Sequence, residues 1–150
     1  AAKPAGSRDT TEPEAEEQGM RADVASAIAR DLISFAPDTP VGQAVAIMVE
    51  NDISGAPVLD RLGALVGVIT AKDCFQAALD GSYYGNWEGA VSDYMTANVR
   101  TLEADTDLVT AASLFLEVEF RRFPVLRERR VIGMVTRLDV LRALYRYSSA

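Results

Sequence analysis

The chain has 150 residues, a net charge of −7, no histidine and a single cysteine; apolar residues make up 49% and charged residues 25%. That is one domain's worth of chain, or two small halves sharing a core, with apolar content suited to a soluble globular protein. The acidic balance excludes the clustered Lys and Arg that a nucleic-acid backbone requires, the missing histidine excludes His triads and His metal sites, and a lone cysteine excludes an internal disulfide or a cysteine metal cluster.

No apolar run approaches the roughly 18 residues of a membrane span, and no secretory pattern opens the chain. Membrane insertion and export are therefore not expected, and a reducing, cytoplasmic setting fits. Cys74 lies in an apolar stretch and reads as a small buried hydrophobe.

Residues 1–20 form an acidic tail that includes Glu12-Pro13-Glu14-Ala15-Glu16-Glu17. Such a stretch buries too little apolar surface to order itself. From Val24 the chain begins something that it later repeats. At a shift of 67, Asp38-Thr39 meets Asp105-Thr106 and Pro57-Val58-Leu59 meets Pro124-Val125-Leu126; at a shift of 66, Gly67, Thr70 and Asp73 meet Gly133, Thr136 and Asp139. Internal repetition of this length decides architecture. It divides the chain into the tail, a first repeat over 21–79, a connector over 80–90 and a second repeat over 91–147.

Each repeat reads as β-α-β-β-α. A short strand comes first, Leu32 to Phe35 and Val99 to Leu102. Asp38-Thr39-Pro40 and Asp105-Thr106-Asp107 then start a helix with capping side chains and, in the first repeat, a proline in the opening turn. Val41, Ala44, Val45 and Met48 share one helical face, as do Leu108, Ala111, Ala112 and Phe115. A hairpin follows, with polar turns at 60–63 and 127–130. Its second strand runs straight into another helix at Gly67-Val68-Ile69-Thr70-Ala71-Lys72-Asp73 and at Gly133-Met134-Val135-Thr136-Arg137-Leu138-Asp139. The fold class is α/β, with two repeats packed sheet to sheet around a pseudo-two-fold axis, because either half alone would leave an apolar sheet face exposed. The connector carries Tyr83, Tyr84 and Trp87 among glycines and reads as a loop whose rings cover the core edge.

Thr-x-x-Asp at a strand-to-helix junction has two readings. It is a capping box, with the threonine capping and the acid reaching back. It is also a place for a phosphate, since a helix N-terminus presents free N–H groups, and an ionised aspartate can accept from two sugar hydroxyls at once. Two copies in register favour the second reading. Beyond these residues no nucleophile stands paired with a base, so neither a catalytic site nor a metal site is expected.

Taken together, both Gly-x-x-Thr-x-x-Asp stretches, the two Pro-Val-Leu segments, Asp38-Thr39-Pro40 and Val91-Ser92-Asp93-Tyr94-Met95 resemble a tandem of CBS domains, named from cystathionine β-synthase and paired as a Bateman module. The resemblance covers about Val24 to Tyr145 and departs at Ala27-Ile28-Ala29, where the first repeat's linking helix is expected to be irregular. It implies a sensory, non-catalytic protein that needs no cofactor and takes AMP, ADP, ATP, S-adenosylmethionine or NAD in clefts between the repeats. Carried over, Thr70 and Thr136 would approach phosphate, Asp73 and Asp139 would hold ribose, and Ser34 and Thr101 would flank the base. Ala56, Arg121, Arg122 and Phe123, just before or at the Pro-Val-Leu segments, would also face the ligand. Arg121, Arg122 and Arg137 lie near Thr136 and Asp139 in sequence, so the phosphate end of the tighter site is expected to be set mainly by second-repeat residues. The resemblance further implies a homodimer formed through helices, helped by the apolar Leu141, Leu144, Tyr145 and Tyr147, and a regulated effector protein. A ligand-free interaction module, or a regulatory fragment of a transporter or enzyme, remains the alternative.

Overall fold

The hydrophobic spacing of each repeat resolves into one helix, one hairpin and a second helix. The computed structural model describes residues 22–82 and 86–148. The first repeat supplies α1 (Val41–Glu50), β1 (Gly55–Leu59), β2 (Leu65–Thr70) and α2 (Ala71–Ser82). The second supplies the one-turn helix α3 (Val91–Tyr94), β3 (Leu102–Glu103), α4 (Leu108–Glu117), β4 (Arg122–Arg127), β5 (Arg130–Thr136) and α5 (Arg137–Ser148). The tail expected over 1–20 and the connector's Tyr83 and Tyr84 lie outside the described residues.

Both hairpins are antiparallel, and both slip register at the equivalent step, Val58/Leu59 and Val125/Leu126. The one residue lost between the repeats is explained by their turns. The first is a wider loop in which the Asp60 carboxylate accepts from the N–H groups of Leu62 and Ala64, both at 2.9 Å, with Gly63 at φ 85°. The second is a tight reversal through Glu128 (φ 52°) and Arg129 (φ 68°).

Three sequence expectations are corrected. Leu32 to Phe35 is not a strand; only Phe35 bridges β1, in parallel with Val58, because Pro37 follows and offers no backbone donor. Its counterpart begins later than Val99, at Leu102–Glu103, parallel to β4. Helix α1 takes Pro40 as its N-cap without a side-chain cap, so Asp38 and Thr39 do not cap it. Instead the Val41 N–H donates to the Gly89 carbonyl at 3.0 Å. In α4 the cap is Asp107, whose carboxylate accepts from the Thr110 N–H at 2.7 Å.

The leading segments of the two repeats are exchanged. The first repeat's leader, a 3-10 turn over Val24–Ala27, sits on the second repeat: Val24 N–H donates to the Thr106 carbonyl at 2.7 Å, and Leu108 N–H to the Ala22 carbonyl at 3.0 Å. The second repeat's leader, α3, sits on the first: Val91 N–H donates to the Thr39 carbonyl at 2.8 Å, and Thr96 bridges β2 at Val68. The cores follow the same exchange. Val24 and Ala27 are buried with Leu102, Leu108, Phe115, Phe123, Val125 and Val135, while Val91 is buried with Phe35, Ala44, Met48, Val58, Ile69 and Cys74.

The glycine that opens each signature stretch is explained by these crossings. A Cβ on Gly67 would lie 2.8 Å from both the Met95 sulfur and the Thr96 carbonyl oxygen; one on Gly133 would lie 2.9 Å from Ile28 Cγ2. Each glycine lets the other repeat's leader run directly over the strand. Between the halves, β1 meets β5. Of the connector's rings, Trp87 lies against Gly42 on α1. Among the described residues, no helix is long and apolar enough to cross a membrane.

Candidate functional site

Strand β2 ends at Thr70 and α2 begins at the next residue; β5 ends at Thr136 and α5 begins likewise. With no residue between strand and helix, the threonine must serve as the cap. In the first repeat the Asp73 Oδ2 accepts from the Thr70 N–H (2.9 Å) and the Thr70 hydroxyl (3.0 Å), while the Asp73 N–H donates to Thr70 Oγ1 (3.2 Å). In the second, Asp139 Oδ2 accepts from the Thr136 N–H (2.9 Å) and the Asp139 N–H donates to Thr136 Oγ1 (3.1 Å). Both junctions are therefore reciprocal capping boxes. The capping reading holds, and it does not exhaust the carboxylates, since each box uses one oxygen.

The second oxygens differ. Asp139 Oδ1 accepts from Arg142 Nη1 at 3.3 Å. Among the described residues no donor reaches Asp73 Oδ1.

Each junction opens on a cleft walled by the opposite repeat. The first cleft, about 700 Å³, brings Thr70, Lys72 and Asp73 together with Arg100, Arg121 and Arg122. Phe75 and Phe120 supply ring surface there, and Glu119 adds a carboxylate. The second cleft, about 750 Å³, brings Thr136, Asp139 and Arg142 together with Arg30, Asp31 and Asp52. Its apolar wall includes Leu32, Ile33, Ile53 and Met134. Both volumes lie within the roughly 300–1,000 Å³ range of small-molecule sites. The first cleft sets four basic side chains against two carboxylates, and the second sets four against three. Arg30 in the second is further occupied by the Asn51 carbonyl at 3.1 Å.

Arg122 lines both clefts, and its Nη2 donates to Ser54 Oγ at 2.7 Å. Burial lowers its pKa, the neighbouring Arg121 charge adds to that, and Asp73 opposes it. The thiol of Cys74 is buried and pushed up, first by burial and then by the Asp73 charge; a thiol held protonated is a poor nucleophile. Among the described residues no group of acidic, Cys or His side chains could hold a metal ion.

The sequence-expected site residues divide. Thr70, Asp73, Arg121 and Arg122 come together in the first cleft, and Thr136, Asp139 and Arg122 in the second. Proximity in sequence misleads here: Arg121 faces Thr70 and Asp73 of the other repeat, and Arg137 is exposed and lines neither cleft. Ser34 and Thr101 line neither cleft, although Leu32 and Ile33 line the second and Val99 and Arg100 line the first. Ala56 and Phe123 are fully buried in the two cores. Phe123 still bears on the first cleft indirectly, because Phe120 stands edge-on against its ring at 5.9 Å.

Residues beyond those expectations are Arg100, Glu119 and Phe120 in the first cleft and Arg30, Asp31, Asp52 and Arg142 in the second. One local signal existed for Asp52. It stands just past α1 with φ 54°, a left-handed conformation that Asp tolerates better than most residues.

Comparison with known proteins places this geometry. The CBS domain model matches residues 22–80 and 91–146. The chain is 34% identical over 116 residues to an inosine-5'-monophosphate dehydrogenase of Methanocaldococcus jannaschii, covering 77% of this chain but 22% of that one. It is 32% identical over 141 residues to the chloroplastic CBS domain-containing protein CBSX1 of Arabidopsis thaliana, covering 75% of this chain and 59% of that one. The chain thus spans less than two thirds of each of these relatives. Among solved structures, CBSX2 in complex with AMP is 31% identical with a TM-score of 0.72, covering 84% of this chain and 98% of that one. The CBS domain pair of MJ0100 in complex with 5-methylthioadenosine and S-adenosyl-L-methionine is 27% identical with a TM-score of 0.69, covering 81% and 94%. With the model matched in both repeats and the overall fold shared with these structures, the chain belongs to the CBS domain family, as a tandem pair.

Proposed function

We propose that this chain is a regulatory module that binds an adenine nucleotide, AMP, ADP or ATP, in the first cleft. The observation that carries the reading is the convergence there of the open oxygen of Asp73 and the guanidinium groups of Arg121 and Arg122, brought from different repeats into one cavity. A ribose needs an acceptor for its hydroxyls, and a phosphate needs charged donors. Arg is suited to the latter because charge-assisted contacts are roughly twice as strong as neutral ones. The adenosine ligands of CBSX2 and MJ0100 lend support, and S-adenosylmethionine and NAD remain part of the same ligand class. Phe75 and Phe120 offer flat apolar surface to a base. Isothermal titration with AMP, ADP, ATP, NAD and S-adenosylmethionine tests the reading; it expects heat and saturation with at least one of them. Arg121→Ala should weaken AMP by about tenfold or more, the worth of one charged contact, and adenosine much less. Absence of heat and of thermal shift with all five ligands would reject it in favour of a ligand-free interaction module.

The output is regulatory rather than catalytic on this reading, exerted on an effector protein or on a further domain, as in a dehydrogenase that carries such repeats. The buried single cysteine suits a reducing compartment such as the cytoplasm. We also propose a homodimer: Phe75 of α2 and Leu138, Leu141 and Tyr145 of α5 are all more than half exposed, which is more apolar helix surface than a monomer needs. Light scattering across micromolar concentrations should give twice the chain mass, and a constant monomer mass would reject the dimer.

A further inference from the structure

The two clefts share two lining residues, Arg122 and the Ser54 that holds it. Arg122 leaves β4 opposite Thr136 in the strand register and crosses to the first repeat, where Ser54 holds its Nη2. It lies directly over Gly55. A Cβ at that position would stand 2.7 Å from Arg122 Cδ, 2.9 Å from Nε and 3.0 Å from Nη1. The repeat shift of 67 pairs Ser54 with Arg121 and Gly55 with Arg122. Where perfect symmetry would bring two arginines face to face, the first repeat supplies a gap and a hydroxyl, and the second supplies the one guanidinium that fills them.

We propose that Arg122 is one phosphate-reading cation shared by both clefts, positioned by Ser54 and Gly55, so that a phosphorylated nucleotide in one cleft weakens phosphate binding in the other. The proposal rests on the nucleotide reading above and deepens it. A guanidinium fork engages one phosphate well in bidentate fashion. A second phosphate then meets a cation already neutralised, and it meets the repulsion of the first phosphate's charge across the shared residue. The first cleft takes precedence. It sets Lys72, Arg100, Arg121 and Arg122 against two carboxylates, whereas the second sets its four arginines, Arg146 among them, against three, with Arg142 paired with Asp139 and Arg30 on the Asn51 carbonyl.

Titration of the full chain with AMP and, separately, with adenosine tests the coupling, because adenosine lacks the phosphate. The two AMP affinities should differ by at least about tenfold more than the two adenosine affinities, the scale of one charged contact. Arg122→Gln should weaken the first AMP step and close that excess while weakening adenosine much less, with circular dichroism and thermal unfolding showing the variant to be folded. Ser54→Ala, a change at an exposed side chain, should close part of it. One AMP but two adenosines per chain is the extreme form of the expected result. One of each per chain, an AMP spread no wider than that of adenosine, or a spread unchanged in Arg122→Gln would each overturn the coupling while leaving the nucleotide reading intact. Failure of both ligands to bind would overturn that reading and the coupling with it.

Discussion

Asp73 has two carboxylate oxygens with different duties. Oδ2 closes the capping box with Thr70, and Oδ1, on a side chain that lines the first cleft, has no donor among the described residues. Substitutions can separate the two. Asp73→Ala removes both, and the cap alone should cost about 1 kcal/mol of stability, within the ~0.5–2 kcal/mol range of such caps, read from urea denaturation. Asp73→Asn keeps an oxygen for the Thr70 N–H but turns an amide donor toward the cleft. It should retain most of the stability while weakening adenosine by about tenfold, the loss of one acceptor to a buried sugar hydroxyl. Equal losses in both measurements for the two variants would show that Asp73 acts only through the helix start. The capping role was legible in Thr-x-x-Asp. The distinction between Asp73 and Asp139 was not, because it depends on where Arg142 points, one turn along α5.

At the scale of elements, the two hairpins show what apolar spacing does and does not reveal. Pro-Val-Leu and the following runs announce strands, and both hairpins form with matching register slips. The reversal between β4 and β5 carries no such signal. It runs through Glu128 and Arg129, both with positive φ, where Asn-Gly is the favoured pair. A left-handed non-glycine residue costs ~1–2 kcal/mol, so the double change Glu128→Asn, Arg129→Gly should raise stability by about 1 kcal/mol or more in thermal or urea unfolding. No gain would mean that charge contacts of the native turn offset its backbone strain. The stretch before α1 does not form the strand expected of it, and the one before α4 forms its strand only from Leu102. Isolated apolar residues such as Ile33 and Phe35 look like a strand in sequence, but Pro37 ends the pairing after one bridge.

At the scale of the molecule, the exchange of leading segments makes the repeats interdependent. The repeat itself was legible, since two shifts align it almost throughout. The exchange was not, because a docking of Asp23 on Asp107 and of Pro40 on Ala90 leaves no periodicity to read. The composition of the clefts escaped for the same reason: Arg121 is near Thr136 in sequence and beside Asp73 in space. Residues 22–82 alone would keep Phe35, Val58 and Ile69 but lose Val91 from their core and Met95 and Thr96 from over Gly67. That fragment should give a collapsed, poorly dispersed amide NMR spectrum, and addition of residues 86–148 should restore native dispersion; a well-dispersed spectrum from the isolated fragment would contradict the interdependence. The same exchange has a consequence for synthesis on the ribosome. Val24 leaves the tunnel early, but its seat beside Thr106 and Leu108 comes last; at ~5–20 residues per second the intervening chain takes roughly 4–17 s to appear. During that interval the first repeat can close its core as soon as Val91 emerges, while its own leader waits, apolar and uncovered, for a partner not yet translated.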